Sequence, residues 1–144
     1  RRLGKLQHVL VVVCDEPASV TDAYAVIKVL SREHGLRRFR VATNMTREQA
    51  GGTRVFDTLR RVTDRFLDVT LEHSADIPDD ELLRRAIREQ RPVVEVFPGA
   101  PAARAIAALA RDLAAWPAPE GRGNIGFFAE RIARPAPPRL QVVR

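Results

Sequence analysis

Val9 to Val13 form five apolar residues in a row, four of them valine. The run is too short for a helix and lacks the alternation of a strand with one wet face. It predicts a strand covered on both faces. The chain then breaks at Asp15-Glu16-Pro17 and resumes at Ser19, which with Asp22 reads as a capping box opening a helix to about His34. Val20, Ala23, Tyr24, Ile27 and Leu30 give that helix one apolar face, and Gly35 is placed to end it in the left-handed conformation. The pattern then repeats. A strand over Phe39–Thr43 precedes a helix opened by Thr46-x-x-Gln49, whose face is Val55, Phe56, Leu59, Val62 and Phe66. Gly51 and Gly52 weaken its start by about 1 kcal/mol each, so fraying is expected there.

A third strand is expected over Asp68–Leu71 or slightly longer, ending in the turn Asp76-Ile77-Pro78-Asp79. Asp79 or Asp80 caps a helix to about Gln90, which Pro92 stops. Val93–Phe97 reads as extended, and Pro98, Gly99 and Pro101 precede a last large helix from Ala102 to about Ala115. Its face (Ala103, Ile106, Ala107, Ala110, Leu113, Ala114) is narrow enough to pack closely on a sheet. Repeated strand–helix units predict an α/β fold: a parallel sheet with flanking helices and right-handed crossovers. Ligands in such sheets sit in the crevice at the carboxyl ends of the strands. Pro117, Pro119, Gly121 and Gly123 form a linker. Beyond it, Asn124–Ala133 is amphipathic, with Ile125, Phe128, Ala129 and Ile132 at helical spacing and Phe127 beside them. The proline-rich end is expected to be disordered.

The 144 residues suit one domain with a core of useful size, and no apolar run approaches the length of a membrane span. Residues 1–7 carry no signal-peptide pattern, and the chain has no initiator Met. A net charge of +6 suggests nucleic acid, yet Lys5 and Lys28 are the only lysines. That arginine bias, with abundant Ala, Pro and Val, reads as base composition of the coding sequence, and no direct nucleic-acid partner is expected. The single Cys14 excludes an internal disulfide, fits a reducing cytoplasm and ends a buried strand as a small core residue. His8, His34 and His73 are scattered, without partners at metal-ligand spacing.

Several segments, taken together, resemble a known family. DEPASVTDAYAVIKVLSREHG, RFRVATNM, VTDRFLDVTL, IPDDE, RRAIREQRPVVEVFP and AARAIAALA are similar to the MinD/ParA class of ATPases and, more narrowly, to the flagellar-number regulators of the FleN/FlhG type. The likeness covers about Val9 to Pro117, and Arg122-Gly123 with Phe127–Arg131 extends it. It implies a partial P-loop NTPase fold divided as follows: 1–7 unplaced, 8–117 the C-terminal half of a MinD-like nucleotide-binding domain, 118–134 a linker and short amphipathic helix, and 135–144 a disordered tail. In the family, the phosphate-binding loop and two switch regions precede the strand that Val9 begins. None of them occurs in these 144 residues, so the Mg²⁺ ligands are absent as well, and no ATP turnover is expected of this chain alone.

The base-binding side of an ATP site is what the resemblance leaves. It implies that Asn44 reads the adenine edge, which a carboxamide can match with one donor and one acceptor; a plain turn residue after a strand is the other reading. It also implies that the backbone at Ile77, Pro78 and Asp79 packs on the base, and that Glu16 and Pro17 border the nucleotide and an ATP-dependent self-dimer face. A solvated βα loop is the alternative for that pair. The tail residues Ile125, Phe127, Phe128 and Ile132 would either meet an anionic membrane surface as an interfacial helix or dock on their own domain. Three places depart from the family: Asp76 replaces a usual Gly, Gly99-Ala100 replaces a pair ending in Ser, which removes a helix cap, and Gly51-Gly52 loosens another helix start. The implied function is regulation of flagellar number and flagellar gene expression. Its implied partners are a flagellar transcriptional activator and a flagellar-placement GTPase, in the cytoplasm or at the inner membrane face. The alternative is a non-catalytic protein- or membrane-interaction module derived from the same fold. An exposed hydrophobic edge at Val9–Val13 is expected if the phosphate-loop strand normally pairs there.

Overall fold

The computed structural model describes residues 9–48 and 50–116. The unplaced segment, the tail helix with Ile125, Phe127, Phe128 and Ile132, and the expected disorder of 135–144 lie outside them. Three parallel strands, β1 (Leu10–Cys14), β2 (Arg38–Thr46) and β3 (Thr70–Pro78), pair in the order β1-β2-β3. Helices α1 (Pro17–His34) and α2 (Gly51–Phe66) connect them in turn. After β3 come α3 (Glu81–Arg88), the single turn α4 (Val93–Val96) and α5 (Pro101–Ala114). The expected α/β sheet with flanking helices is present.

The valine run becomes β1, but only one of its faces is fully covered: Val12 is 54% exposed, so the expected strand covered on both faces needs correction. Val11 and Val13 join Phe39, Val41 and Leu71 beneath Ala23 and Ile27 of α1 and Val55, Phe56 and Leu59 of α2. On the opposite face Ala42 and Ile77 pack with Ala102 and Leu109 of α5, and Leu10 and Ala75 lie at the margin. A third cluster, Ala86, Val93, Ala100 and Ala103, ties α3 and α4 to α5. The small residues of α5 allow it to lie close to the sheet. Arg40 fastens the far end of α5: its guanidinium pairs with Asp112, lies 3.2 Å from Glu72 and stacks 4.6 Å from the Trp116 ring.

Gly35 ends α1 as expected. It sits at φ 68°, and the N–H groups of Gly35 and Leu36 donate to the carbonyls of Ser31 and Leu30, the pattern of a Schellman motif. Five further expectations need correction. The capping box at Ser19 does not form: α1 starts at Pro17, and the Ser19 hydroxyl instead accepts the Cys14 N–H at 2.9 Å. Proline needs no N–H at a first helical position, which lets the helix begin earlier. Thr46 does not open α2 but closes β2, since its carbonyl accepts the Asp79 N–H at 3.0 Å. Similarly, Asp76, Ile77 and Pro78 belong to β3 rather than to a turn.

Gly51 and Gly52 are buried rather than frayed. A Cβ on Gly52 would collide with the Asp76 carboxylate and the Thr43 hydroxyl, so only glycine admits this approach. Val93–Phe97, finally, is not extended. With no strand beside it among the described residues, the run takes helical bonds instead: the Phe97 N–H donates to the Val93 carbonyl at 2.8 Å, and Val93 is buried.

Candidate functional site

Parallel strands bring three loops to one end of the sheet. At the carboxyl end of β1 lie Cys14, Asp15, Glu16 and Pro17; at that of β2, Asn44, Met45 and Thr46; at that of β3, Ile77, Pro78 and Asp79. Register places them side by side, because Asn44 pairs with Cys14 on one flank and with Ile77 on the other. Asn44 is thus central to the rim. It is half-buried, and among the described residues its carboxamide has no hydrogen-bond partner. A half-buried amide with both its donor and its acceptor free is suited to a planar polar ligand.

The neighbours are held more firmly. Glu16 and Pro17 are exposed, and the Glu16 N–H donates to the Cys14 carbonyl at 2.8 Å, giving the βα loop a tight turn. Asp15 is exposed, and a Cβ placed on Gly51, the first residue of α2, would lie 3.6 Å from its carboxylate. A negative charge there suits the positive end of the helix dipole. Ile77 is buried against α5, so only its backbone faces the crevice; its carbonyl accepts the Thr46 hydroxyl at 3.4 Å. Pro78 and Asp79 are half-buried, and the Asp79 carboxylate is engaged by Arg84. The same guanidinium reaches Glu81 at 2.8 Å. Hydrogen bonds from Arg84 and then Arg88 lower the Glu81 pKa, and Glu81 in turn raises that of Arg84. The Asp79 charge is therefore already answered within the chain.

Asp80 sits directly behind this rim and was legible only as one of two candidate caps. Its Oδ1 accepts the Leu82 N–H at 2.9 Å and its Oδ2 accepts the Ala102 N–H at 2.9 Å. One buried carboxylate thus caps both α3 and α5, and supplies from another element the cap that Gly99-Ala100 lacks. The Ala102 hydrogen bond is the main cause of its lowered pKa, which burial opposes. Beneath the rim, Asp76 receives the Thr43 hydroxyl, and His73 Nε2 lies 2.8 Å from its Oδ1. The His73 ring stacks on Phe56 at 4.7 Å. The adjacent glycines of α2 were the sequence signal for this close approach, although at first they read only as a weak helix start.

Two interruptions shape the rim. Ser74 is an extra residue in β3, between the pairs Val41–His73 and Ala42–Ala75. Met45 is an extra residue in β2, between Asn44–Ile77 and Thr46–Pro78. Nothing in the hydropathy pattern marked either one.

No family model matches the chain. It is 50% identical over 129 residues to the antiactivator FleN of Pseudomonas aeruginosa, a match covering 89% of this chain and 46% of that protein. Its fold is similar to that of the MinD cell division protein of Aquifex aeolicus, with a TM-score of 0.55 and 26% identity over 80% of this chain and 47% of that one. The chain spans about half the length of the curated relative it matches. The likeness to FleN is therefore one of sequence, and the likeness to MinD one of fold.

Proposed function

We propose that this chain carries the base-binding side of an adenine-nucleotide site in a MinD-like regulator of flagellar number. The observation that carries the reading is Asn44: its free carboxamide sits at the centre of the carboxyl-end crevice, between Cys14 and Ile77. The Ile77-Pro78-Asp79 backbone bounds one side of the base, and the Glu16-Pro17 loop bounds the other and the self-dimer face. The group these residues would hold is ATP. The triphosphate and its Mg²⁺ would be gripped by a phosphate-binding loop and switch regions that do not occur in these 144 residues. Turnover is consequently not expected of this chain alone.

By this reading the chain serves an antiactivator. It acts with a flagellar transcriptional activator and a flagellar-placement GTPase in the cytoplasm, and at an anionic inner membrane surface through Ile125, Phe127, Phe128 and Ile132. No helix among the described residues is long and apolar enough to cross a membrane, which is compatible with peripheral attachment. Calorimetric titration with ATP tests the reading. Saturable binding that GTP does not reproduce and that Asn44→Ala removes is expected; equal response to both nucleotides, or an indifferent Asn44→Ala, would refute it.

A second reading, a non-catalytic interaction module, has its own observation. Within the described sheet β1 is an edge strand, and its Val12 is 54% exposed, while Val26 and Val29 of α1 also face outward. A partner seated there would need no nucleotide.

A further inference from the structure

Met45 is the one residue of β2 that the sheet does not use. Asn44 pairs with Ile77 and Thr46 pairs with Pro78, and Met45 is the extra residue between them. It stands at φ 57°, in the left-handed region, where a bulky side chain is rarely found. Its neighbours fix it there. Asn44 is paired on both flanks, Thr46 is buried with its hydroxyl on the Ile77 carbonyl, and the Thr46 carbonyl holds the Asp79 N–H. Backbone strain that surrounding contacts over-determine is characteristic of sites where one side chain must be presented, and bulges at sheet ends re-aim side chains in this way. Glycine or asparagine would take this conformation more easily. What methionine adds is a long, polarisable thioether, here left 46% exposed beside the free Asn44 carboxamide. No packing role in the described core accounts for it, because Met45 is absent from all three hydrophobic clusters.

We infer that Met45 is a base-stacking residue: its thioether covers one face of the adenine whose edge Asn44 reads. This rests on the base-binding reading of the crevice and adds to it a specific contact and a specific residue. Sulfur packs favourably on an aromatic ring, and a purine presents such a face. The division of labour is chemical. Asn44 distinguishes bases by hydrogen bonding, whereas Met45 contributes affinity through area and polarisability and is indifferent to which purine is bound. The strained backbone at position 45 maintains the presentation before any ligand arrives.

The sequence supplies the probe, since Met45 is its single methionine. The 144-residue protein, labelled with [¹³C-methyl]methionine, is titrated with ATP and with GTP, and the Met45 methyl signal is assigned by its loss in Met45→Leu. A methyl stacked on a ring is shifted upfield by the ring current, so a saturable upfield shift with ATP is expected. Met45→Gly relieves the left-handed strain. It is therefore expected to raise the unfolding temperature while weakening ATP binding about three- to tenfold; a purely structural role would change the first and not the second. If ATP binds and Asn44→Ala abolishes binding, but the methyl does not move and Met45→Gly binds within twofold, the stacking role is overturned and the base-binding reading stands. If ATP perturbs none of the amides of residues 14–17, 44 and 77–79, the base-binding reading falls and the stacking role falls with it.

Discussion

His73 and Asp76 lie three residues apart in one strand yet meet on the same face of the sheet, with Nε2 2.8 Å from Oδ1. In a regular strand that spacing puts side chains on opposite faces. The extra residue Ser74 reverses the alternation, sending Ala75 and Ile77 toward α5 and Asp76 toward α2, where it receives the Thr43 hydroxyl and bars any side chain at position 52.

Gly52 and Asp76 are therefore coupled. Gly52→Ala is expected to destabilise by about 1–3 kcal/mol through overpacking, although alanine is the better helix former. In an Asp76→Ala background the same change should be nearly neutral, giving a coupling of about 1 kcal/mol or more in a denaturant double-mutant cycle. Gly51→Ala, which meets nothing closer than 3.6 Å, should instead stabilise by about 0.4–1 kcal/mol.

Asp80 should behave as a double cap. Asp80→Ala removes one cap from each of two helices and leaves the Ala102 N–H buried without its acceptor. The expected loss is about 2–3 kcal/mol, with Asp80→Asn losing less. Because folding lowers this carboxyl's pKa, its stabilisation is fully present above the unfolded-state value of about 3.9 and is lost as the pH falls through the lower folded-state value. Urea midpoints measured from pH 6 down to 2.5 should fall less steeply for Asp80→Asn than for the parent; equal slopes would remove the assignment.

Arg40 should govern the end of α5. Arg40→Ala removes the contacts to Glu72 and Asp112 and the stacking on Trp116, at an expected total cost of about 1–2 kcal/mol. Trp116 is the only tryptophan, so its emission should report the change directly. Amide exchange should quicken over residues 110–115 while β2 is unaffected.

The β1 edge should associate. An edge strand with a half-exposed Val12 invites pairing, so the apparent mass by light scattering is expected to rise with protein concentration and to fall in Val12→Lys. A concentration-independent monomer would contradict this.

The fold was legible where periodicity and length agreed. An unbroken apolar run gave β1, the short Phe39–Thr43 segment gave the middle of β2, 3.6-residue spacing gave α1, α2 and α5, and Gly35 gave its own conformation. Errors arose where one local signal was outweighed by a different contact. Ser19 reads as a cap but anchors the end of β1, and the glycines of α2 read as weakness but admit Asp76. Val93–Val96 has the composition of a strand without a strand to pair with. At the candidate site the Asp15–Pro17 loop followed from the end of the first strand, whereas Asn44 and Ile77–Asp79 were implied by the family resemblance. The bulges at Ser74 and Met45 did not, since a bulge is defined by the partner strand and leaves no periodic trace in its own.

Those two bulges cancel. The slip that Ser74 introduces between β2 and β3 is closed at Met45, so Arg38–Thr70 at the base and Thr46–Pro78 at the rim keep one common offset. The sheet carries a short out-of-phase interval bounded at both ends, and the phase of everything outside it is unchanged. Deleting Ser74 alone would leave Asn44 opposite Ile77 with Met45 as the one remaining bulge, whereas deleting Ser74 and Met45 together would give an uninterrupted ladder. The two insertions are thus a matched pair, each keeping the strands of equal length between the base and the rim.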